Sequence, residues 1–306
     1  MKVLIATEKP FAKEATDGIK EIFTKAGMET VLLEKYTDIN DFHHAVADVD
    51  ALIVRSDKVT AQTVDAAKNL KIVVRAGAGY DNLDLAACTA RGIAAMNTPG
   101  QNSNAVAELA IGMMVYMARN SFHAGTGSEL KGKKLGIHAY GNVGRLVAKI
   151  AQGFGMDVYA FDPYVAKETI EKDGVRVCAS IDELYGTCHY VSLHIPATEQ
   201  TKKSIGYRLL SKMPKGACVV NTARKEVIHE EELLNILEER ADLKYISDIA
   251  PDIHATLQEK LGARYFSTPK KMGAETAEAN VNAGLAAARQ IVNFLTNGDT
   301  TFQVNK

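Results

Sequence analysis

Short apolar runs alternate with longer stretches of helical periodicity along most of the chain. Val3–Ala6, Val31–Leu33, Ala51–Val54, Ile72–Val74 and Ile93–Met96 each read as a buried strand, with helical patterns in most of the gaps. After Lys134 the alternation restarts with Leu135–His138, Val158–Phe161, Tyr190–Ile195, Ala217–Asn221 and Tyr245–Asp248. Runs that are apolar at every position, rather than at every second one, suit parallel strands covered by helices on both faces. Two such series predict an α/β protein with two parallel-sheet domains.

Two long helical stretches stand apart from this alternation. Asn104–Arg119 carries only Glu108 and the terminal Arg119 as charged side chains, so it reads as a buried helix wedged between the domains and extending into a subunit contact. It is too short and too charged near its start for a membrane span. Ala274–Leu295 opens on Glu275-Thr276-Ala277-Glu278 and stops before Asn297-Gly298, as helix ends prefer, and is expected to return the chain to the first domain.

Composition narrows the class without choosing a function. Over 306 residues, 36 Lys and Arg stand against 37 Asp and Glu, so no bulk charge draws the chain to nucleic acid or to a membrane. The four cysteines, Cys88, Cys178, Cys188 and Cys218, form no close pair of the kind zinc or redox chemistry uses. Met1–Ala6 is too short an apolar run for a secretory signal and reads as a first strand. A reduced, soluble, cytoplasmic protein is expected, with no metal site, because no His/Cys/Asp/Glu cluster has ligand spacing.

The most informative segment is Leu135-Gly136-Ile137-His138-Ala139-Tyr140-Gly141-Asn142-Val143-Gly144-Arg145, placed between a strand and a helix. Gly141 would let backbone approach a pyrophosphate, and Gly144 would let helix and strand pack closely. The helix N-terminus opened by Asn142 and Val143 offers free N–H groups and a positive dipole end. The first glycine of the dinucleotide fingerprint is Ala139 here, which suggests a turn that an L-residue can adopt. Asp162, at the end of the next strand, can accept both ribose hydroxyls and would repel a 2′-phosphate, so NAD rather than NADP is expected.

Beyond this point the chain resembles the NAD-dependent D-2-hydroxyacid dehydrogenases, and most closely their phosphoglycerate dehydrogenase branch. The resemblance is carried by Val54-Arg55-Ser56, by Arg75-Ala76-Gly77-Ala78-Gly79-Tyr80-Asp81-Asn82-Leu83-Asp84, and by Asn97-Thr98-Pro99 with Asn102, Ala107 and Glu108. It continues through His194-Ile195-Pro196-Ala197-Thr198-Glu199-Gln200-Thr201 and Asn221-Thr222-Ala223-Arg224. It implies a Rossmann-type NAD domain, 99–276, inserted in a flavodoxin-like substrate domain, 1–98 plus 277–306, with a cleft between them and a homodimer built on the cofactor domain. It implies oxidation of D-3-phosphoglycerate at C2, the opening step of serine synthesis. Arg224 would hold the substrate carboxylate and polarise the C2 oxygen. Asp248, His194-Ile195-Pro196, Thr201 and Thr222 would line the cofactor. Arg55, Ser56, Arg75, Asn102 and the backbone at Gly77 would receive the acid and its phosphate. A guanidinium matches a carboxylate bidentately, and each of these three arginines follows an apolar strand run.

The chain departs from that family at its acid–base pair. Where the family carries a histidine, Ser267-Thr268-Pro269-Lys270-Lys271-Met272-Gly273 offers two lysines, and counting back from Gly273 selects Lys271 over Lys270. Where the partner glutamate belongs stands Ile253, with Asp252 one residue early; Lys225-Glu226 replaces a glycine pair after Arg224. The two losses fit each other: a carboxylate would push a lysine pKa of about 10.4 further up, whereas desolvation or a neighbouring cation brings it toward working pH. The resemblance extends to a short-form branch that uses lysine at this place and lacks a serine-sensing C-terminal domain, so no feedback of that kind is expected. Two other readings remain open: a sister enzyme acting on glyoxylate, hydroxypyruvate, D-lactate or a longer phosphorylated hydroxy acid, and an inactive NAD(H)-sensing protein.

Overall fold

A computed structural model describes the whole chain, Met1–Lys306. The chain divides into two compact units, Met1–Asn102 with Glu275–Lys306, and Ser103–Ala274. Each is built on one all-parallel sheet.

The first unit holds β1 (Lys2–Thr7), β2 (Glu29–Glu34), β3 (Ala51–Val54), β4 (Ile72–Arg75) and β5 (Ala94–Asn97), in the order β2-β1-β3-β4-β5. This is the flavodoxin-like order. Successive residues of β1 serve opposite faces. Val3 and Ile5 pack with Ala283, Ala287 and Ile291 of the final helix, Ala277–Asn297, while Leu4 and Ala6 pack with Phe42, Val46 and Val64. That helix starts later than its acidic approach suggests, because Thr276 is the N-cap and accepts the Ala279 N–H; it ends on Gly298 at φ 69°. β2 departs from the expectation of a buried strand: as the sheet edge it has one uncovered side, and Leu32 is exposed.

The second unit holds β6 (Lys134–His138), β7 (Asp157–Phe161), β8 (Arg176–Val177), β9 (Tyr190–Leu193), β10 (Cys218–Asn221), β11 (Lys244–Ser247) and β12 (Tyr265–Ser267). Their order, β12-β11-β10-β9-β6-β7-β8, reverses direction beside β6. It is the doubly wound Rossmann arrangement with one strand added, and ligands bind such sheets at the carboxyl ends of the strands around the reversal. β8 and β12 are too short to carry a sequence period and were not expected. The helix Ser103–Ala118 belongs to this unit, with Ala107, Ala110, Met113, Met114 and Met117 buried against Leu135, Val147 and Ala151. It is not covered all round, since Asn104, Glu108 and Gly112 are exposed along one stripe. No helix of the chain is long and apolar enough to cross a membrane.

Candidate active site

Nearly every chemically suggestive residue of the second unit follows the carboxyl end of a strand. After β6 the chain turns through Ala139 and Tyr140 into the helix Asn142–Gly153, capped by Gly141. Ala139 adopts the turn at φ 77°, in the left-handed region that an L-residue takes only at a cost. An L-residue there costs about 1–2 kcal/mol, offset by the bonds on either side. The Ala139 N–H donates to Phe161 O at 3.0 Å, and the Tyr140 N–H donates to Asp162 Oδ2 at 2.7 Å. Tyr140 itself is fully buried, its hydroxyl donating to Asp173 Oδ2 at 3.0 Å. Asp162 thus stands half-buried just past β7, its second oxygen accepting the Tyr164 N–H at 2.8 Å.

The two fingerprint glycines differ in what they require. A Cβ on Gly144 would lie 2.4 Å from Ala139 O and 2.9 Å from Ile137 Cγ2, so the protein's own packing excludes a side chain there. Gly141 has an ordinary φ of −81°, and a Cβ on it would meet nothing within 4 Å. No contact within the chain explains that glycine. Its bare backbone, beside the exposed Asn142 and half-buried Val143, leaves the helix N-terminus open to an anion.

At the neighbouring strand ends, His138 and His194 lie side by side, with the His194 N–H donating to His138 O at 2.9 Å. Burial holds the His138 imidazole down to about 4, and burial together with the adjacent His138 holds that of His194 down to about 3. Both are therefore neutral in the folded protein at pH 7. Their folded pKa values lie below the unfolded value near 6.5, so the stability they contribute is complete above about 6.5 and is lost as pH falls through about 4 for His138 and about 3 for His194. Urea midpoints followed by circular dichroism should drop across this window, and His138→Asn should flatten the drop. Beyond His194, Pro196 is exposed on a loop that the Thr201 hydroxyl holds together, donating to Pro196 O at 2.5 Å and accepting the Thr198 N–H at 2.7 Å. Thr201 thus shapes this loop, and its one hydroxyl proton is already engaged there. Thr222 is buried, and both its Oγ1 and His194 Nε2 are buried without a partner.

After β10, Asn221 folds the chain into a tight turn. Its Oδ1 accepts the Ala223 N–H at 3.0 Å and its Nδ2 donates to Arg224 O at 3.0 Å. Arg224 Nη1 donates to Ala223 O at 3.1 Å, and Lys271 Nζ donates to the same oxygen at 2.8 Å. One backbone carbonyl therefore brings a guanidinium and an amine together. Lys270 is exposed, Lys271 half-buried. Asp252, one residue before the place of the missing glutamate, is 77% exposed and paired with Lys225. Asp248 is 1% exposed and its carboxylate faces the Lys271 loop, accepting the N–H groups of Met272 and Gly273 at 2.9 and 2.8 Å.

In the first unit the Arg55–Ser56 turn follows β3, and Arg75 ends β4. The Arg55 guanidinium is largely engaged by the fold: Nη1 donates to Lys9 O and Pro10 O at 2.9 and 3.0 Å, Nη2 to Asn280 Oδ1 at 2.7 Å, and its Cζ lies 5.2 Å from the Phe11 ring centroid. Arg75 Nε donates to Arg55 O at 3.0 Å. Gly77, at φ 151°, allows this arrangement, because a Cβ there would fall 1.5 Å from Arg75 Nη1. Ser56 is exposed and Asn102 half-buried at the end of the unit's first segment. The turn is organised by buried Asp57, which accepts the Glu8 N–H at 2.7 Å, the Tyr36 hydroxyl at 2.8 Å and the Arg55 N–H at 3.2 Å. Burial first, and then this carboxylate, pushes the Tyr36 phenol far up. Asp57 was not singled out from sequence, since a lone Asp two residues after an arginine carries no motif.

Residues 105–263 match the D-isomer-specific 2-hydroxyacid dehydrogenase NAD-binding domain. The chain belongs to that family. The structure of NAD+-bound 3-phosphoglycerate dehydrogenase from Entamoeba histolytica superposes at TM-score 0.87 with 49% identity, over 100% of this chain and 99% of that one. The D-3-phosphoglycerate dehydrogenase of Methanocaldococcus jannaschii is 37% identical over 82% of this chain and 50% of its own. The hydroxypyruvate reductase of Thermotoga maritima is 34% identical over 92% of this chain and 95% of its own. The chain thus spans about half the length of the first of these curated relatives. Within this dehydrogenase family, the second unit is the NAD-binding domain, and its residues suit the cofactor: bare Gly141 at a helix N-terminus, the oriented Asp162 carboxylate, and the orphaned Thr222 Oγ1 and His194 Nε2. Gly141→Thr keeps a good N-cap but fills the open space, so NADH fluorescence titration should show binding weakened at least about tenfold while the melting temperature holds.

Proposed function

We propose that this chain oxidises D-3-phosphoglycerate to 3-phosphohydroxypyruvate, supplying an early intermediate of serine synthesis. The observation that carries the reading is the Ala223 carbonyl, which holds the Arg224 guanidinium and the Lys271 amine at one place beyond β10. A guanidinium fork binds a carboxylate in two parallel hydrogen bonds and reaches the oxygen on the adjacent carbon. An amine beside it, in its neutral form, takes the proton from the C2 hydroxyl during oxidation and returns it during reduction. NAD, when bound, accepts the hydrogen and electron pair that leave C2. Asp162 and the N-terminus of the helix Asn142–Gly153 would hold its ribose and pyrophosphate, and the orphaned Thr222 and His194 atoms would find partners along it. An NAD(H) sensor has no use for a paired guanidinium and amine.

Arg75, laid against Gly77 and the Arg55 carbonyl, is the residue we assign to the phosphate, together with the exposed Ser56. Arg55, with three donors on the chain itself, serves chiefly to brace that turn. This engagement, and the T. maritima relative of similar length, favour one second reading: reduction of an unphosphorylated hydroxy-keto acid. Following NADH absorbance with 3-phosphohydroxypyruvate beside hydroxypyruvate decides between them. The first reading expects kcat/KM to be at least about a hundredfold higher for the phosphorylated acid, as for a charged group held by arginine. Equal values would establish the second. We further read the protein as a cytoplasmic homodimer, supported by the family resemblance and four free cysteines, and light scattering tests the assembly.

A further inference from the structure

The loop that carries Lys271 has no regular structure between β12 and its exit at Gly273. A lysine has four rotatable side-chain bonds, and in a loose loop its amine would sweep a wide volume. Here the loop is tied to one buried carboxylate. Asp248 accepts the Thr268 hydroxyl at 3.1 Å and the Met272 N–H at 2.9 Å on Oδ1, and the Gly273 N–H at 2.8 Å on Oδ2. Thr268 and Asp248 are 5% and 1% exposed, so water does not compete for these bonds. Gly273 is needed for the approach, because a Cβ there would lie 2.9 Å from Asp248 Oδ2 and 3.2 Å from Val106 Cγ2.

The same residue is fixed on its other side. The Asp248 N–H donates to Asn221 O at 2.9 Å, and Asn221 Nδ2 donates to Arg224 O. A continuous run of bonds therefore links the Lys271 loop, Asp248, Asn221 and the Arg224 turn. We propose that Asp248 is the positioning residue that sets Lys271 in register with Arg224, holding the Thr268 side chain before the lysine and the backbone just after it so that its amine meets the Ala223 carbonyl. This adds to the expectation that Asp248 lines the cofactor: three hydrogen bonds to its carboxylate come from the loop. The inference rests on Lys271 being the acid–base group, and its test is built to separate the two.

Asp248→Asn converts one oxygen into a donor, which then faces the N–H of Gly273 or of Met272. Thr268→Val removes the third bond at nearly constant volume, whereas Thr268→Ser keeps it. Three quantities are measured for each variant: kcat on 3-phosphohydroxypyruvate, the NADH dissociation constant by fluorescence, and the rate at which Lys271 in the free protein is labelled. The labelling uses pyridoxal phosphate with borohydride, read by peptide mass spectrometry against Lys270. The expected result is a kcat loss of about a hundredfold in Asp248→Asn and about tenfold in Thr268→Val, the size a misplaced catalytic group produces. Thr268→Ser should restore most of the rate, NADH binding should hold, and Lys271 should label several-fold faster once the loop is released. Unchanged Lys271 labelling, with NADH affinity falling in proportion to the rate, would overturn the proposal and return Asp248 to the cofactor. If Asp248→Asn does not fold, the contrast between Thr268→Val and Thr268→Ser decides. Should Lys271→Ala retain full activity, the acid–base reading fails while the labelling comparison still reports whether Asp248 holds the loop.

Discussion

Lys271→Ala should lower kcat by about 10²–10⁴-fold, the range over which a positioned acid–base group acts, while Lys270→Ala leaves it nearly unchanged. The two lysines are chain neighbours with very different surroundings: Lys271 is half-buried with its amine on Ala223 O, Lys270 exposed. A general electrostatic effect of removing one positive charge would act on both variants, so the contrast isolates the amine at the site. NADH affinity should be little altered in either, because neither side chain belongs to the nucleotide end around Gly141 and Asp162. Steady-state rates with NADH and 3-phosphohydroxypyruvate, run beside a fluorescence titration, give both numbers. Equal losses in the two variants would mean that the lysines supply only charge, and a loss confined to Lys270→Ala would move the acid–base role by one residue.

Arg224→Lys is the second large effect. It keeps the charge but replaces a rigid planar fork with a single flexible ammonium, and such exchanges are not conservative where recognition is bidentate. Breaking a hydrogen-bonded charge pair in this way costs about 2–5 kcal/mol, so kcat/KM should fall by roughly 30- to several-thousandfold. The loss should appear for phosphorylated and unphosphorylated acids alike, since both present the same carboxylate. Gly77→Ala should differ: a Cβ 1.5 Å from Arg75 Nη1 displaces that guanidinium, and the phosphorylated acid alone should suffer. The pair of variants, assayed on both acids, separates the carboxylate end of the substrate from the phosphate end. A loss in Arg224→Lys restricted to one acid would contradict the assignment.

Much of this was legible in the chain because it depends on local rules. Apolar runs at every position announce parallel strands, and a strand, a turn and a helix are legible around Gly141 and Gly144. The need for glycine at Gly144 is a short-range steric fact, and the choice of NAD follows from one carboxylate at a strand end. Counting from Gly273 sets Lys271 where the resemblance expects a histidine, and counting from Asp248 sets Ile253 where it expects a glutamate.

What the sequence could not decide depends on residues far apart in the chain. Counting from Gly273 favours Lys271 and counting from Pro269 favours Lys270; the physical difference between them comes from a carbonyl at Ala223, brought near by β10, β11 and β12 lying side by side. Arg55 follows a strand like the other two arginines, and only the fold shows its guanidinium met by Lys9 O, Pro10 O and Asn280, the last contributed by the final helix. Ala139 suggests a turn that an L-residue can adopt, and only the folded chain shows the bonds from Tyr140 to Asp162 and Asp173 beside it while it sits in the left-handed region. Asp57 carries no motif at all, and the resemblance that marks Asp248 says nothing of the loop it ties down. Their roles arise because a buried carboxylate must be given donors, and only the folded chain shows which loops supply them.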